Sequence, residues 1–294
     1  MKIAVTGASG LIGSALVPAL RSEGHDVLRL VRRTADAPDE VTWDPSRGTV
    51  DAERLAGTDA VVHLAGAGVG DHRWTEAYKR EILDSRVDGT STIAHAVAAL
   101  DPKPAVLLSA SAIGYYGDTG DRLVDESASR GEGFLAGVVE AWEGAAEAAR
   151  AAGIRVVHPR SGLVMARGGG AWARMLPLFR LGVGGRLGGG HQYWSFITLD
   201  DEVRALTFLL TADVSGPVNL TAPTPATNAE VTAAMGSALH RPTVLPVPAF
   251  ALKAVLGEFS SEVLGSARVL PRVLQAAGFE FRHADIRTAA ATLA

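Results

Sequence analysis

The sequence predicts a doubly wound parallel α/β sheet with a smaller C-terminal lobe, and three observations lead there. Short apolar runs alternate with longer amphipathic stretches over the first two-thirds of the chain, the pattern of parallel strands joined by crossover helices. A glycine-rich turn joins the first apolar run directly to the first helical stretch. The 294 residues are 47% hydrophobic and 20% charged, enough for a large core and too apolar for disorder.

Taken in order, the apolar runs are Lys2–Thr6, Asp26–Val31, Ala60–Leu64, Ala105–Ser109 and Arg155–His158. Between them Leu11–Ser22, Thr75–Leu100 and Leu135–Ala152 are rich in Ala, Leu and Glu, with apolar residues three or four apart, and read as helices. Such crossovers are almost always right-handed, so helices should cover both sheet faces and a ligand should sit at the carboxyl ends of the strands. Residues 1–165 are assigned to this domain, with some later segments returning to it, and 166–294 to the smaller lobe. In that lobe Gly168-Gly169-Gly170, Gly184-Gly185 and Gly188-Gly189-Gly190 are interleaved with Arg174, Arg180 and Arg186, which reads as a loop region facing a substrate. Pro217, Pro223, Pro225, Pro242, Pro246 and Pro248 punctuate the chain beyond these glycines, and Ser261 to Ala277 reads as one helix.

Composition removes several classes of function. There is no cysteine, hence no disulfide, thiolate nucleophile or cysteine-ligated metal. A net charge of -4 gives no reason to expect nucleic acid or a membrane as partner. No run approaches the roughly 18 apolar residues of a membrane span. Met1-Lys2 leads into Ile3-Ala4-Val5 and then glycines rather than a signal peptide, so a cytoplasmic location is expected. The expected partner is a small-molecule substrate, and a homodimer is left open.

The sharpest motif is Gly7-Ala8-Ser9-Gly10-Leu11-Ile12-Gly13, between strand Lys2–Thr6 and the first helix. Positions without side chains let backbone amides approach a pyrophosphate, and the helix N-terminus adds unpaired N–H groups and partial positive charge. Ser14 follows Gly13 where a triphosphate-binding loop needs lysine, so the turn predicts a dinucleotide on a Rossmann-type fold. The second strand ends Leu30-Val31-Arg32-Arg33. An acid at this point holds the ribose 2′-hydroxyl of NAD, whereas arginine suits the 2′-phosphate of NADP. Val31 stands in place of the acid, Asp36 and Asp39 lie too far along, and Arg32 and Arg33 therefore predict NADP(H).

The Gly-x-x-Gly-x-x-Gly spacing resembles the short-chain dehydrogenase/reductase superfamily, in its extended epimerase/dehydratase-like branch. Thr6 to Gly13, His63-Leu64-Ala65-Gly66 and Arg86-Val87-Asp88-Gly89-Thr90 carry the resemblance. Ser109 to Gly117, Arg160-Ser161-Gly162-Leu163-Val164, Gly216 to Pro223 and Gly278-Phe279-Glu280-Phe281 narrow it to an atypical "epimerase family protein" subgroup. The resemblance runs to the C-terminus and implies cofactor contacts at Leu64, Ala65, Gly66, Arg86, Ser109 and Arg160, Arg86 standing where many relatives carry asparagine. It also implies a serine after the fourth strand and a Tyr-x-x-x-Lys on the next helix, the lysine lowering the tyrosine pKa.

Ser111, before Ala112-Ile113-Gly114-Tyr115-Tyr116-Gly117, fits that serine. The tyrosine and lysine are missing, because the helix reads Phe134-Leu135-Ala136-Gly137-Val138-Val139-Glu140-Ala141-Trp142-Glu143. Tyr116, close to Ser111 at a strand's end, is the expected replacement proton donor. Arg73, Trp74, Tyr115, Gln192 and Trp194 join aromatic faces to polar groups and are the expected substrate wall. The histidines lack metal-ligand spacing, Asp200-Asp201-Glu202 reads as helix capping, and no metal is expected. The leading reading is an NADP(H)-dependent oxidoreductase or epimerase-like enzyme acting on a small carbonyl or hydroxyl compound. The alternatives are a non-catalytic NADP(H)-binding sensor and a sugar-nucleotide epimerase using NAD.

Overall fold

The computed structural model describes residues 1–294. Its main sheet starts with β1 (Lys2–Thr6), β2 (Asp26–Val31), β3 (Glu40–Asp44), β4 (Thr49–Val50), β5 (Ala60–His63) and β6 (Val106–Ser109). A short β7 (Ser111–Ala112) and the strands Arg155–Ser161 and Gly216–Leu220 complete it. From one edge the order is Gly216–Leu220, Arg155–Ser161, β6, β5, β1, β2, β3, β4, with β7 running beside Arg155–Ser161. The pairings are parallel except that of β3 with β4.

Alternation along the strands separates two cores. Ile3, Val5, Val62, Leu108 and Val157 face α1 (Gly13–Ser22) and α7 (Leu199–Thr211), which contribute Leu16, Leu20, Leu206 and Leu209. Ala4, Val61, Leu107 and Val156 face α3 (Glu76–Ala98) and α5 (Glu147–Ala151), against Ile93, Ala94, Val97 and Ala149. Both sheet faces are therefore dry, which is what a parallel sheet requires. A third core, around Trp172, Leu176, Phe179, Val231 and Met235, belongs to the C-terminal lobe.

Some expectations need correction. The strand expected at Arg155–His158 continues to Ser161, which carries Arg160 to the carboxyl end of the sheet. Leu135–Ala152 is two helices, α4 (Phe134–Gly144) and α5, because the chain turns at Ala145-Ala146. Ser261–Ala277 is broken into Ser260–Leu264, a two-residue strand Arg268–Val269 and Arg272–Ala276, with Gly265 and Pro271 at the breaks. The glycine-rich stretch after 168 is no continuous loop, since α6 (Gly170–Arg180) turns Trp172, Leu176 and Phe179 inward at helical spacing. Residues 199–220 return to the first domain as α7 and the edge strand Gly216–Leu220.

On α7, Glu202 is sealed in the core, its Oε1 accepting from Ser161 Oγ at 2.5 Å and its Oε2 without a partner. Burial pushes its pKa up to about 8. The neutral acid is the folded form, so its contribution is intact at acid pH and is lost as pH climbs through about 8. Glu202→Gln should leave Tm nearly unchanged at about pH 5 and raise it by several degrees at about pH 9. A Tm difference independent of pH, followed by thermal denaturation, would contradict the assignment.

Candidate functional site

The site is built at the carboxyl ends of β1, β2, β5, β6, β7 and Arg155–Ser161. Gly7 adopts φ 65°, and a β-carbon there would stand 2.9 Å from the Leu64 carbonyl carbon. A β-carbon on Gly13 would stand 2.2 Å from the Gly7 oxygen, so the first turn of α1 can close on the loop only with glycine there. Gly10 differs, because a β-carbon would meet only the Gly7 oxygen, at 3.2 Å, and the residue is exposed. Gly10 N donates to Gly7 O at 2.9 Å, whereas the amides of Ala8, Ser9, Leu11 and Ile12 have no internal acceptor. Unpaired N–H groups at a helix N-terminus are what a pyrophosphate needs.

Thr6 ties this turn to the next strand. Its Oγ1 accepts from Leu64 N at 3.0 Å and Ala65 N at 3.2 Å and lies 2.8 Å from His63 Nδ1. Accepting twice, the hydroxyl gives its proton to the imidazole. His63 is fully buried and burial lowers its pKa to about 4, so it is a neutral core residue rather than a base.

The two arginines after β2 are not equivalent. Arg33 is bound through Nη1 at 2.8 Å and Nη2 at 2.7 Å to Glu40, and reaches Asp36 at 3.0 Å. Arg32 is exposed and has no hydrogen bond or ion pair. Asp39 is engaged by Arg21 and Arg29, and Asp44 by Ser46, so neither acid is presented at the strand end.

Across the sheet, Arg86 on α3 lies beside the Gly66 loop. Its Nη1 donates to Ala67 O at 2.9 Å and Ile82 O at 3.0 Å, and its guanidinium sits 4.9 Å from the Trp142 ring. No carboxylate pairs with it, and burial lowers its pKa to about 10, still a cation at neutral pH. A half-buried cation without a counter-charge beside a loop of free amides suits an anionic ligand. These groups fit a phosphorylated dinucleotide, with the turn amides on its pyrophosphate and Arg32 at the ribose end. Leu64, Ala65 and Gly66 form the facing loop, while Ser109 is sealed in the sheet with an unpartnered hydroxyl.

Around Ser111 the structure departs from expectation. Ser111 Oγ donates to Glu143 Oε1 at 2.6 Å. Arg160 grips the same carboxylate from Nε at 2.7 Å and Nη2 at 2.8 Å, and its Nη1 donates to the Tyr116 hydroxyl at 3.0 Å. That hydroxyl donates to Asn219 Oδ1 at 2.8 Å. Tyr116 is 1% exposed, and burial raises its pKa, so it is a structural strut rather than the expected proton donor. Arg160, 2% exposed, is committed to Glu143 instead of a cofactor, with the Tyr115 ring stacked 3.5 Å from its guanidinium carbon. Burial pushes the Glu143 pKa up, but the bonds from Arg160 and Ser111 outweigh it and hold the carboxyl below its usual range.

Sequence reasoning overlooks Glu143, although Ala136, Val139 and Glu143 recur at helical spacing on the packed side of α4.

The expected substrate wall is not assembled as one surface. Arg73 Nη2 donates to Ala254 O at 3.2 Å, Trp74 Nε1 to Val69 O at 2.7 Å, Gln192 Nε2 to Leu187 O at 3.0 Å and Trp194 Nε1 to Val263 O at 3.2 Å. Trp194 lines an apolar cavity of about 50 Å³ with Trp172, Phe179 and Val247, which includes neither Arg73, Trp74, Gln192 nor Ser111. Trp74 instead packs on Phe134 and Phe259, and Lys79 pairs with Glu258 at 2.8 Å, so the loop after β5 is fastened to the C-terminal lobe. Asp201 accepts from Arg204, Arg282 N and His283 N, so its carboxylate serves the packing of α7. No helix is long and apolar enough to cross a membrane.

The profile of the NAD dependent epimerase/dehydratase family matches residues 3–221, and that of a domain of unknown function (DUF1731) matches 247–293. An epimerase family protein of Mycobacterium bovis is 49% identical over 97% of this chain and 94% of its own. The human epimerase family protein SDR39U1, solved with NADPH, superimposes with a TM-score of 0.91 at 33% identity, covering 100% of this chain and 99% of that one. A nucleoside-diphosphate sugar epimerase from Corynebacterium glutamicum superimposes with a TM-score of 0.80 at 35% identity, over 100% of this chain and 58% of its own.

The glycines give a paired expectation. Gly13→Ala should lower stability by about 1–3 kcal/mol in urea unfolding, because the new methyl overlaps the Gly7 carbonyl. Gly10→Val should fold and yet bind no dinucleotide by calorimetry; retained binding in the folded variant would move the phosphates elsewhere.

Proposed function

The chain belongs to the NAD dependent epimerase/dehydratase family, and on that premise we propose that it is an NADP(H)-dependent oxidoreductase of epimerase-like descent, acting on a small carbonyl or hydroxyl compound. The observation that carries the cofactor choice is the unpaired guanidinium of Arg32 beside a glycine turn with free amides, at a strand end that presents no acid. A guanidinium fork favours a 2′-phosphate, and an acid would be needed to prefer the 2′-hydroxyl. The NADPH held by the human relative supports the same choice.

When bound, the nicotinamide supplies or accepts a hydride. The chain's own contribution is to grip and to manage a proton. The amides of Ala8, Ser9, Leu11 and Ile12 would hold the pyrophosphate, Arg32 the 2′-phosphate, and Arg86 the negative charge over the Gly66 loop. Of the expected pair, Tyr116 is sealed and proton handling falls to Ser111, whose hydroxyl bonds to the ionised carboxylate of Glu143. A sensor that binds NADP(H) without chemistry is the second reading, favoured by the sealed Tyr116 hydroxyl. Against it, Glu143 keeps 14% of its side chain exposed, so the Ser111 partner is not shut in the core.

Titration should show NADPH binding at least tenfold tighter than NADH, a difference of about 1.4 kcal/mol or more. Arg32→Ala should erase most of that preference, and Arg33→Ala much less, because Glu40 and Asp36 already hold Arg33. Equal affinities in the unaltered protein would end the assignment.

A further inference from the structure

We propose that the outer face of the C-terminal lobe is a membrane-contact surface, seated on a bilayer that carries anionic lipid. The face lies apart from the dinucleotide site, and the proposal does not rest on the cofactor reading above.

Nine large apolar side chains are exposed on the molecule, and seven of them fall between residues 178 and 255. Leu181 is 76% exposed just past the end of α6, with Leu178 and Val183 exposed on either side of it in the chain. Val244 is 80% exposed, and Leu245 follows it in a loop bounded by Pro242 and Pro246. These two segments make one face. Arg241 Nε donates to Arg180 O at 2.9 Å, and Gly188 N to Val247 O and Val247 N to Arg186 O, each at 2.8 Å. A β-carbon on Gly182 would touch Pro242. Past Pro248 the chain runs straight into the helix Ala249–Leu256, which buries none of its residues and exposes Phe250 and Val255. Apolar surface left uncovered over so long a stretch marks a contact site.

Charge decides the occupant. Arg180, Arg186, Arg241 and Lys253 are exposed on the same segments, and neither 168–187 nor 231–257 contains an Asp or Glu. Asp71, beside α6, and Glu258, just past the helix, are taken by Arg174 at 3.4 Å and Lys79 at 2.8 Å. The four cations therefore stand among apolar side chains with no carboxylate to answer them. Because the chain as a whole carries -4, its net charge conceals a face that is both basic and apolar.

A second copy seated here in two-fold symmetry would set these cations against themselves. A protein partner would need a pocket for each of Leu181 and Val244, whose side chains stand nearly clear of the surface. Lipid closes around such knobs without a preformed shape. An anionic bilayer also attracts each cation, while the long stems of Arg and Lys lie along the apolar side chains that enter the interface.

The test is co-sedimentation of the full chain with lipid vesicles. Phosphatidylcholine vesicles with about 30% phosphatidylglycerol should bind it at least tenfold tighter than phosphatidylcholine alone, and raising salt from about 0.05 M to about 0.5 M should release most of it. Arg180→Glu combined with Lys253→Glu should weaken binding tenfold or more, and so should Leu181→Ser combined with Val244→Ser. Arg47→Glu, an exposed arginine of the first domain, should change nothing. All of these side chains are exposed, so circular dichroism should show the fold unaltered. In Phe250→Trp, the emission added over that of the unaltered protein should move to the blue on the anionic vesicles alone. A chain that ignores anionic vesicles overturns the proposal. So does binding that survives the paired serine substitutions undiminished, which is attraction to headgroups without insertion. Self-association that those serines abolish, with vesicles left unbound, overturns it as well and gives the face to a second copy.

Discussion

The buried ion pair of Arg160 with Glu143 is the contact on which the rest of the site depends. It fastens α4 to the strand Arg155–Ser161 by two charge-assisted bonds, and from its ends the remaining polar groups are placed. Ser111 is fixed on the carboxylate side. Tyr116 and Asn219 follow on the guanidinium side, and Asn219 continues through Leu270 O and Glu126 into the C-terminal lobe. Removing one partner of such a pair leaves an uncompensated charge in the core and typically costs about 3–5 kcal/mol. The network thus joins the two lobes beside the place where chemistry is expected, and rigidity between lobes and orientation of Ser111 come from the same bonds.

A second constraint separates residues that look alike in sequence. Arg32 and Arg33 are neighbours of one type, yet Glu40, at the start of β3, takes Arg33 and leaves Arg32 free. Likewise Gly7, Gly10 and Gly13 share a motif but have different tasks: Gly7 and Gly13 allow backbone to approach backbone, and Gly10 opens outward. In each case a contact made in the folded chain decides which residue is structural and which can meet a ligand.

The same constraint separates the legible parts of the molecule from the rest. β1 and β2 are readable to the residue from apolar runs with sharp borders, and the turn at Gly7–Gly13 from its local spacing. Those are properties of contiguous chain. The strand Glu40–Asp44 and the edge strand Gly216–Leu220 do not read as strands, because Glu40 and Asn219 interrupt the apolar pattern, Glu40 to hold Arg33 just before it in the chain and Asn219 to meet Tyr116, 103 residues away. Tyr116 misleads for a related reason. Its closeness to Ser111 is visible, but its burial depends on Asn219, 103 residues away. The one sequence signal overlooked is the acid at position 143, in register with the packed side of an apolar helix, a place where a carboxylate must have a partner.

Losing a tyrosine–lysine pair does not by itself remove proton chemistry from a fold, because what the reaction needs is a group whose charge can change in reach of the substrate. In the expected arrangement a cation lowers the pKa of a phenol, which then donates or accepts. Here the polarity is reversed: a cation, Arg160, stabilises a carboxylate, and the carboxylate orients a hydroxyl. The phenol that remains, Tyr116, is raised by burial and spends both hydrogen-bonding directions on Arg160 and Asn219. A carboxylate held below its ordinary range is a weak base, so its contact with Arg160 fixes Ser111 in place more than it readies Glu143 for a proton. Which group faces Arg160 therefore decides how the Ser111 hydroxyl is aimed, because the carboxylate that pairs with the guanidinium is the one the serine donates to.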